Sequence, residues 1–168
     1  MGAAYVRVTQ GEDLSDPENI ACCVKHYAAY GSPVAGLNCA PCAMSRHEVF
    51  TDSLPVFEAA VKDAGAMNVM CSYTCVGHKP VSMDHEILTE VLRDQWGFGG
   101  FVVTDYTGIY EMIAHGVGDF EQVSVQALKA GVDMDMVSEG FVVNVKNALD
   151  KGLVSMKDID LACRRILE

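Results

Sequence analysis

The sequence is short of positive charge. Its 168 residues carry 12 Lys and Arg against 23 Asp and Glu, a net charge of −11. Because nucleic-acid binding needs clustered positive charge, this deficit argues against a surface that follows phosphates. The chain also has no apolar run near the roughly 20 residues needed to cross a bilayer. We therefore expect neither a nucleic-acid partner nor a membrane partner.

A secretory signal is also missing from the first residues, MGAAYVRVTQGEDLS, which have no long apolar core. On this ground alone we expect a cytoplasmic location and reduced, mostly buried thiols for the seven cysteines. The spacings Cys39-x-x-Cys42 and Cys71-x-x-x-Cys75 leave a zinc site open as an alternative. Extended residues four apart lie roughly 13 Å from each other, however, so a shared ion would require a turn.

No linker, low-complexity tract or charge block divides the chain, and we expect a single domain over residues 1–168. Short apolar runs alternate with helical patterns. The predicted strands are 20–27, 67–74, 101–105 and 132–138, and the predicted helices are 45–65, 84–97, 120–131, 141–152 and 155–168.

Strands separated by helices of this length are parallel, with right-handed crossovers. The fold class is therefore α/β, with about four β/α units. A doubly wound sheet and part of a (β/α)₈ barrel, or TIM barrel, both fit this order. The absence of a glycine-rich phosphate turn after any strand weakens the first of these.

Two local features bear on the predicted helices. Ser45 with Glu48, and Ser155 with Asp158, have the spacing of N-terminal caps. Pro55 lies inside the predicted helix 45–65. Because proline lacks an N–H group and clashes with the preceding turn, we expect it to break or kink that helix.

Polar side chains end each predicted strand, and in a barrel the carboxyl ends of the strands carry the catalytic groups. Asp105 follows the apolar run FVVT directly. A carboxylate held there by a rigid strand can serve as a nucleophile, a general base or a metal ligand. The alternative is an N-terminal cap for the following segment.

Two other polar groups are more ambiguous. Lys25 and His26 close the first strand, and neighbours on a strand point to opposite faces, so both enter one pocket only through a bend or an unusual peptide. Asp133 and Asp135 share one face of the fourth predicted strand. They fit a divalent-cation pair or, more readily, structural carboxylates inside a barrel.

Stretches along nearly the whole chain are similar, in order, to one known family. They are VKHYAAYG (24–31), MSRHEVFTDSLPVFEAAVKDAGA (44–66), VMCSYT (69–74), ILTEVLRDQWGFGGFVVTDY (87–106), HGVGD (115–119), ALKAGVDMDM (127–136) and VSMKDIDLACRRILE (154–168). The most specific is LRDQWGFGGFVVTDY. The sequence resembles the N-terminal (β/α)-barrel domain of the family 3 glycoside hydrolases, in the β-glucosidase-like branch.

This resemblance implies roles for four residues. Asp105 corresponds to the catalytic nucleophile of a retaining hydrolase, which forms a covalent glycosyl-enzyme. Lys25 and His26 correspond to the pair that binds sugar hydroxyls, and Tyr73 to a residue of the same pocket. The implied substrate is a β-linked glucoside or oligosaccharide, and no metal or organic cofactor is implied. Relatives in this branch are often exported.

The resemblance also implies what the chain lacks. Four strands match only the second half of the barrel, the earlier strands with their sugar-binding Asp and Arg are missing, and in this branch the acid/base carboxyl comes from a following domain. Leu37 stands where the family has a cation. We therefore expect an enzyme that is weak or inactive alone, with a complementary half-barrel or acid/base domain as its partner. The alternative is a non-catalytic remnant that binds carbohydrate or associates with a second copy.

Overall fold

The computed structural model describes residues 1–168, the whole chain. Two π-type helical segments, Val49–Ser53 and Glu86–Gln95, and two short 3₁₀ turns accompany seven α-helices. The α-helices are α1 (Gly2–Gln10), α2 (Arg46–Glu48), α3 (Leu54–Lys62), α4 (Gly108–Ala114), α5 (Phe120–Ala130), α6 (Gly140–Asp150) and α7 (Met156–Leu167). None of the helices is long and apolar enough to span a membrane.

The structure has five strands, which are β1 (Cys23–Tyr27), β2 (Asn68–Cys71), β3 (Cys75–Val76), β4 (Lys79–Pro80) and β5 (Phe101–Val103). β1, β2 and β5 form a parallel sheet with β2 in the middle, while β3 and β4 form a small hairpin beyond the end of β2. This arrangement confirms the predicted parallel α/β class. The carboxyl ends of the three parallel strands meet at one edge, here called the carboxyl rim.

The core lies between one face of the sheet and the surrounding helices. Val69 and Val102 of the central strands are fully buried there, packed in one cluster with Leu88 and Leu92 of the Glu86–Gln95 helix. The spacing of the apolar residues in that helix explains its burial, because one stripe faces the sheet. The opposite face of the sheet carries half-exposed apolar side chains, namely Met70, Phe101 and Met134.

The helix around Pro55 differs from the prediction. Ser45 and Glu48 form the predicted capping box, and helical structure then continues through Val49–Ser53 into α3 without a break. Pro55 lies in the first turn of α3, after the π-type segment. The hydrogen bonding changes from π-type to α-type just before Pro55, at the point where proline offers no N–H group, so the residue is accommodated where we expected it to interrupt the helix.

The fourth predicted strand, 132–138, is also reduced. Only an isolated bridge between Met134 and Val103 continues the sheet there, although the Thr104 N–H donates to the Met134 carbonyl at 3.0 Å. Backbone turns with positive φ at Val137 and Glu139 end the extended segment. The prediction of a full fourth strand was therefore wrong, and only the Met134 bridge lies beside β5.

The end of the sheet opposite the carboxyl rim is held by a buried ion cluster around Asp133. Its side chain is inaccessible to solvent and accepts hydrogen bonds from Arg93 Nη2, from the Val102 N–H at 2.8 Å and from Arg165 Nη1 at 3.0 Å. Three donors saturate the carboxylate, which leaves no site for a cation. For Asp133 these contacts fit the structural alternative, whereas Asp135 lies apart from them and accepts a hydrogen bond from the Gly140 N–H.

Candidate active site

Asp105 lies on the carboxyl rim, just after β5. The strand that leads to it is fixed by Thr104, which is fully buried and whose Oγ1 accepts a hydrogen bond from the Met136 N–H at 2.9 Å. The Asp105 side chain is 16% exposed, and its Oδ1 accepts only the adjacent Tyr106 N–H, at 2.7 Å. This local contact leaves Oδ2 available to another group, unlike an N-cap carboxylate committed to the next helix.

His26 lies beside the second carboxylate oxygen of Asp105. Its Nε2 lies 3.4 Å from Asp105 Oδ2. Burial lowers the pKa of His26 below the ordinary value of 6.5, and the Asp105 carboxylate opposes this effect only in part. The imidazole is therefore neutral near pH 7, and it faces the carboxylate as a hydrogen-bonding group.

Lys25 precedes His26 in the chain, and both residues line one cavity. The register of β1 against β2 shifts between Val24 and Tyr27, and the Lys25–His26 peptide is cis. A cavity of about 260 Å³ is lined by both side chains, with Tyr30 and Phe57 on its wall. Asp105 is not among its lining residues. The Lys25 ammonium has no ion pair or hydrogen bond within the chain, which leaves its donors free for a ligand.

Tyr73 reaches the same rim from the segment after β2. Its hydroxyl donates to the Tyr106 carbonyl at 2.6 Å. Burial, and then the charge of Asp105, raise the pKa of Tyr73 well above its ordinary value. The phenol is therefore a fixed, neutral donor beside the carboxylate, and the structure brings Tyr73, His26 and Asp105 together on one rim.

Three neighbours of this cluster were missed from the sequence. Tyr30 stacks against His26 with ring centroids 4.4 Å apart, and its hydroxyl donates to Asn38. The charges of Glu111 and Asp105 both raise the pKa of the Cys39 thiol, after burial, so Cys39 and Glu111 belong to the same surroundings. An aromatic residue four positions after His26 was a usable signal, but no sequence pattern linked Glu111 to Asp105.

The loop between β1 and α2 carries Leu37, which is 63% exposed. No cation in this loop approaches Asp105. Lys25 is therefore the unpaired cation of this cluster.

The cysteines form neither disulfides nor a metal site. All seven are free, and no group of three or more His, Cys, Asp or Glu side chains is arranged to hold a metal ion. Burial raises the pKa of Cys71 to about 12, which marks it as an inert core thiol. The alternative of a four-thiolate zinc site is thus not formed.

The whole chain, residues 1–168, matches the model of the glycosyl hydrolase family 3 N-terminal domain. The chain belongs to this family. It is 37% identical to a periplasmic β-glucosidase of Salmonella typhimurium over 99% of its length, and 29% identical to β-D-xylosidase 1 of Arabidopsis thaliana over 98%. The match covers 22% of each relative.

Solved structures of the family agree with the fold. The β-glucosidase of Listeria innocua superposes with a TM-score of 0.94 at 32% identity, over 98% of this chain and 23% of that one. The same enzyme in complex with glucose gives a TM-score of 0.93 at 33% identity. The architecture described above is therefore that of the TIM-barrel-like N-terminal domain of family 3, over a part of the length of these relatives.

Proposed function

We propose that this chain supplies the nucleophile-bearing part of a retaining β-glycosidase that cleaves β-linked glucosides or oligosaccharides. The observation that carries the proposal is the Asp105 carboxylate on the carboxyl rim, with one oxygen bound only by its neighbour's N–H and the other 3.4 Å from a neutral His26. Membership of a family whose relatives are named β-glucosidase and β-xylosidase supports the same reaction class.

In the proposed reaction Asp105 attacks the anomeric carbon of the sugar. A bond forms between a carboxylate oxygen and this carbon while the bond to the leaving oxygen breaks, and a second carboxyl group gives that oxygen its proton. Water then attacks the same carbon, loses a proton to the second carboxyl group and releases Asp105. Two inversions retain the β configuration.

The other rim residues hold the sugar in this scheme. The unpaired Lys25 ammonium and the neutral His26 imidazole bind hydroxyl groups, and Tyr73 holds the backbone next to Asp105 through its hydrogen bond to the Tyr106 carbonyl. Binding of sugar hydroxyls needs donors that are not consumed within the chain, as Lys25 provides.

We further propose that residues 1–168 form the second half of a family 3 barrel, and that the acid/base carboxyl comes from a domain outside this chain. The chain spans 22% of the length of its relatives, which leaves room for both. β1 and the Met134 bridge are the two ends of the sheet, and each has one edge unpaired. A complementary half-barrel would pair both edges.

Covalent trapping tests the proposal without the missing acid. Dinitrophenolate leaves without a proton donor, so a dinitrophenyl 2-fluoro-β-glucoside can form the glycosyl-enzyme with Asp105 alone, and the fluorine slows its hydrolysis. We expect the intact mass to rise by one fluoroglucosyl group, located at Asp105 by peptide mapping. Asp105→Asn should remain unlabelled, while Asp94→Asn, a change at an exposed carboxylate, should label as the wild type. Label at another residue, or none, would contradict the proposal.

Self-association of a non-catalytic half-barrel is the second candidate. The half-exposed Met70, Phe101 and Met134 on the uncovered face of the sheet, together with its two free edges, favour a second copy as a cover. Mass measurement in solution decides this. A dimer that does not react with the trapping reagent supports the hypothesis of a non-catalytic, self-associating half-barrel. A stable monomer excludes that hypothesis.

A further inference from the structure

Tyr30 packs against the imidazole of His26 on the wall of the cavity that both residues line. The centroids of the two rings are 4.4 Å apart, and their planes are tilted by 39°. Tyr30 is 37% exposed and is not part of the hydrophobic core. Because the ring contributes little to the core, its contact with His26 points to a role in the site.

The His26 ring has few other contacts that fix its orientation. Its side chain forms no hydrogen bond within the chain, and Nε2 only approaches Asp105 Oδ2 at 3.4 Å. Rotation of an imidazole about its bond to the side chain has a broad, roughly two-fold profile without sharp minima. The ring of Tyr30 occupies space into which the imidazole would otherwise turn, so it limits the directions in which Nε2 can point.

Tyr30 is itself held from two sides. The residue before it, Ala29, donates its N–H to Ser53 Oγ at 2.9 Å, which ties the turn after β1 to the start of α3. The Tyr30 hydroxyl donates to Asn38 Oδ1 at 3.0 Å. Asn38 belongs to the loop between β1 and α2, whose two arms are joined by an antiparallel bridge. The ring is therefore anchored independently of His26.

We propose that Tyr30 is a positioning residue of the Asp105 site, whose ring holds the His26 imidazole toward Asp105. The proposal rests on the function proposed for Asp105. Tyr30 contacts His26 and not the reacting atoms, so it acts through the orientation of the imidazole. Without the ring, His26 turns away from the carboxylate and presents no fixed hydrogen-bonding group to a sugar hydroxyl.

The interaction between His26 and Asp105 tests this without catalysis. NMR titration measures the change in the pKa of His26 that Asp105→Asn causes. A separation that grows from 3.4 Å to about twice that value roughly halves a charge interaction. In Tyr30→Leu we therefore expect Asp105→Asn to change the pKa of His26 by roughly half as much as it does in the wild type.

Two further variants identify the ring as the cause. Tyr30→Phe keeps the ring and should preserve the full effect of Asp105→Asn on His26. Tyr5→Leu is the matched control, since it removes an exposed tyrosine ring from α1, and it should also preserve that effect. An effect that is undiminished in Tyr30→Leu, or diminished equally by Tyr5→Leu, overturns the proposal. Loss of the fold in Tyr30→Leu, seen by circular dichroism, would make Tyr30 structural and overturn it as well.

Covalent trapping separates this inference from the function on which it rests. With the dinitrophenyl 2-fluoro-β-glucoside, Tyr30→Leu should label Asp105 roughly fivefold more slowly, as expected for the loss of one aromatic contact. Tyr30→Phe and Tyr5→Leu should label at the wild-type rate. An undiminished rate in Tyr30→Leu overturns the positioning role and leaves the glycosidase intact. If the wild type takes no label, the glycosidase fails, and a halved effect of Asp105→Asn in Tyr30→Leu still supports orientation of His26 by Tyr30.

Discussion

Asp105 and Asp133 are two carboxylates at opposite ends of the same sheet, and their surroundings differ in kind. Asp133 is inaccessible to solvent and is saturated by two arginines and a backbone N–H. Asp105 has one oxygen 3.4 Å from His26 Nε2 and remains partly exposed. The difference shows that burial and saturation mark a carboxylate that holds the fold, whereas restraint without saturation marks one available for chemistry.

The largest expected effect is on the rate of glycosyl transfer when Asp105 is replaced. If Asp105 is the nucleophile, Asp105→Asn should lower the rate of glycosyl transfer by on the order of 10⁴-fold or more, as removal of a covalent nucleophile does. Its unfolding midpoint in urea should stay close to that of the wild type, because Asp105 accepts only a local N–H and a His26 contact. A large loss of stability would instead make Asp105 structural, like Asp133.

Asp133→Ala should reverse this pattern. Removing the carboxylate leaves Arg93 and Arg165 facing each other with no counter-charge, and Arg93 is buried. We expect the free energy of unfolding to fall by about 3–5 kcal/mol, as for other broken buried ion pairs. Urea denaturation followed by circular dichroism measures it, with Asp150→Ala at an exposed ion pair as the control. A loss below about 1 kcal/mol would contradict the structural role.

Tyr73→Phe tests the restraint on the Asp105 side. Loss of one hydroxyl that donates to the Tyr106 carbonyl should weaken the positioning of the carboxylate by about 1 kcal/mol, or roughly fivefold in trapping rate. Tyr110→Phe is the matched control, because Tyr110 is exposed and packs only through its ring on Phe120. Equal effects of the two substitutions would exclude a positioning role for Tyr73.

The smallest expected effect is on the titration of His26. Burial lowers its pKa and Asp105 opposes that shift, so Asp105→Asn should lower the pKa of His26 further. NMR titration of the imidazole measures this, and Asp94→Asn should leave it unchanged. A rise of the pKa in Asp105→Asn would show that the two side chains do not interact as described.

The same shift sets the sign of one pH effect on stability. The unfolded chain binds a proton at His26 more readily than the folded chain, because the folded pKa is the lower of the two. The contribution of His26 is therefore fully present above pH 6.5 and is lost as the pH falls through the folded pKa. Urea midpoints of His26→Gln should lack this part of the dependence.

Much of the secondary structure was predictable from the sequence, and the exceptions have physical reasons. Apolar periodicity predicted the Glu86–Gln95 helix and α5 to α7, since burial of one stripe decides such helices. It failed for the fourth strand, where tertiary contacts leave only the Met134 bridge. It also gave no helix for Gly2–Gln10, which exposes apolar Tyr5 and Val8 and buries Val6.

The site shows the same division. The position of Asp105 at the end of a buried strand followed from the pattern, and its role and that of Lys25, His26 and Tyr73 came from the family resemblance. The contact of Tyr30 with His26 was not found in this way, because it depends on how the chain turns after β1. The structural role of Asp133 depended on Arg165, 32 residues away, a pairing that no local spacing encodes.

The two arginines that meet at Asp133 come from segments far apart in the order of synthesis. Arg93 is available as soon as β5 forms, whereas Arg165 arrives only with the last helix. On the ribosome the nascent sheet can therefore assemble while Asp133 is paired with Arg93 alone. The ion pair with Arg165 forms only after nearly all of these residues have emerged. The end of the sheet opposite the carboxyl rim is thus the last part of the sheet to complete its stabilising ion pairs.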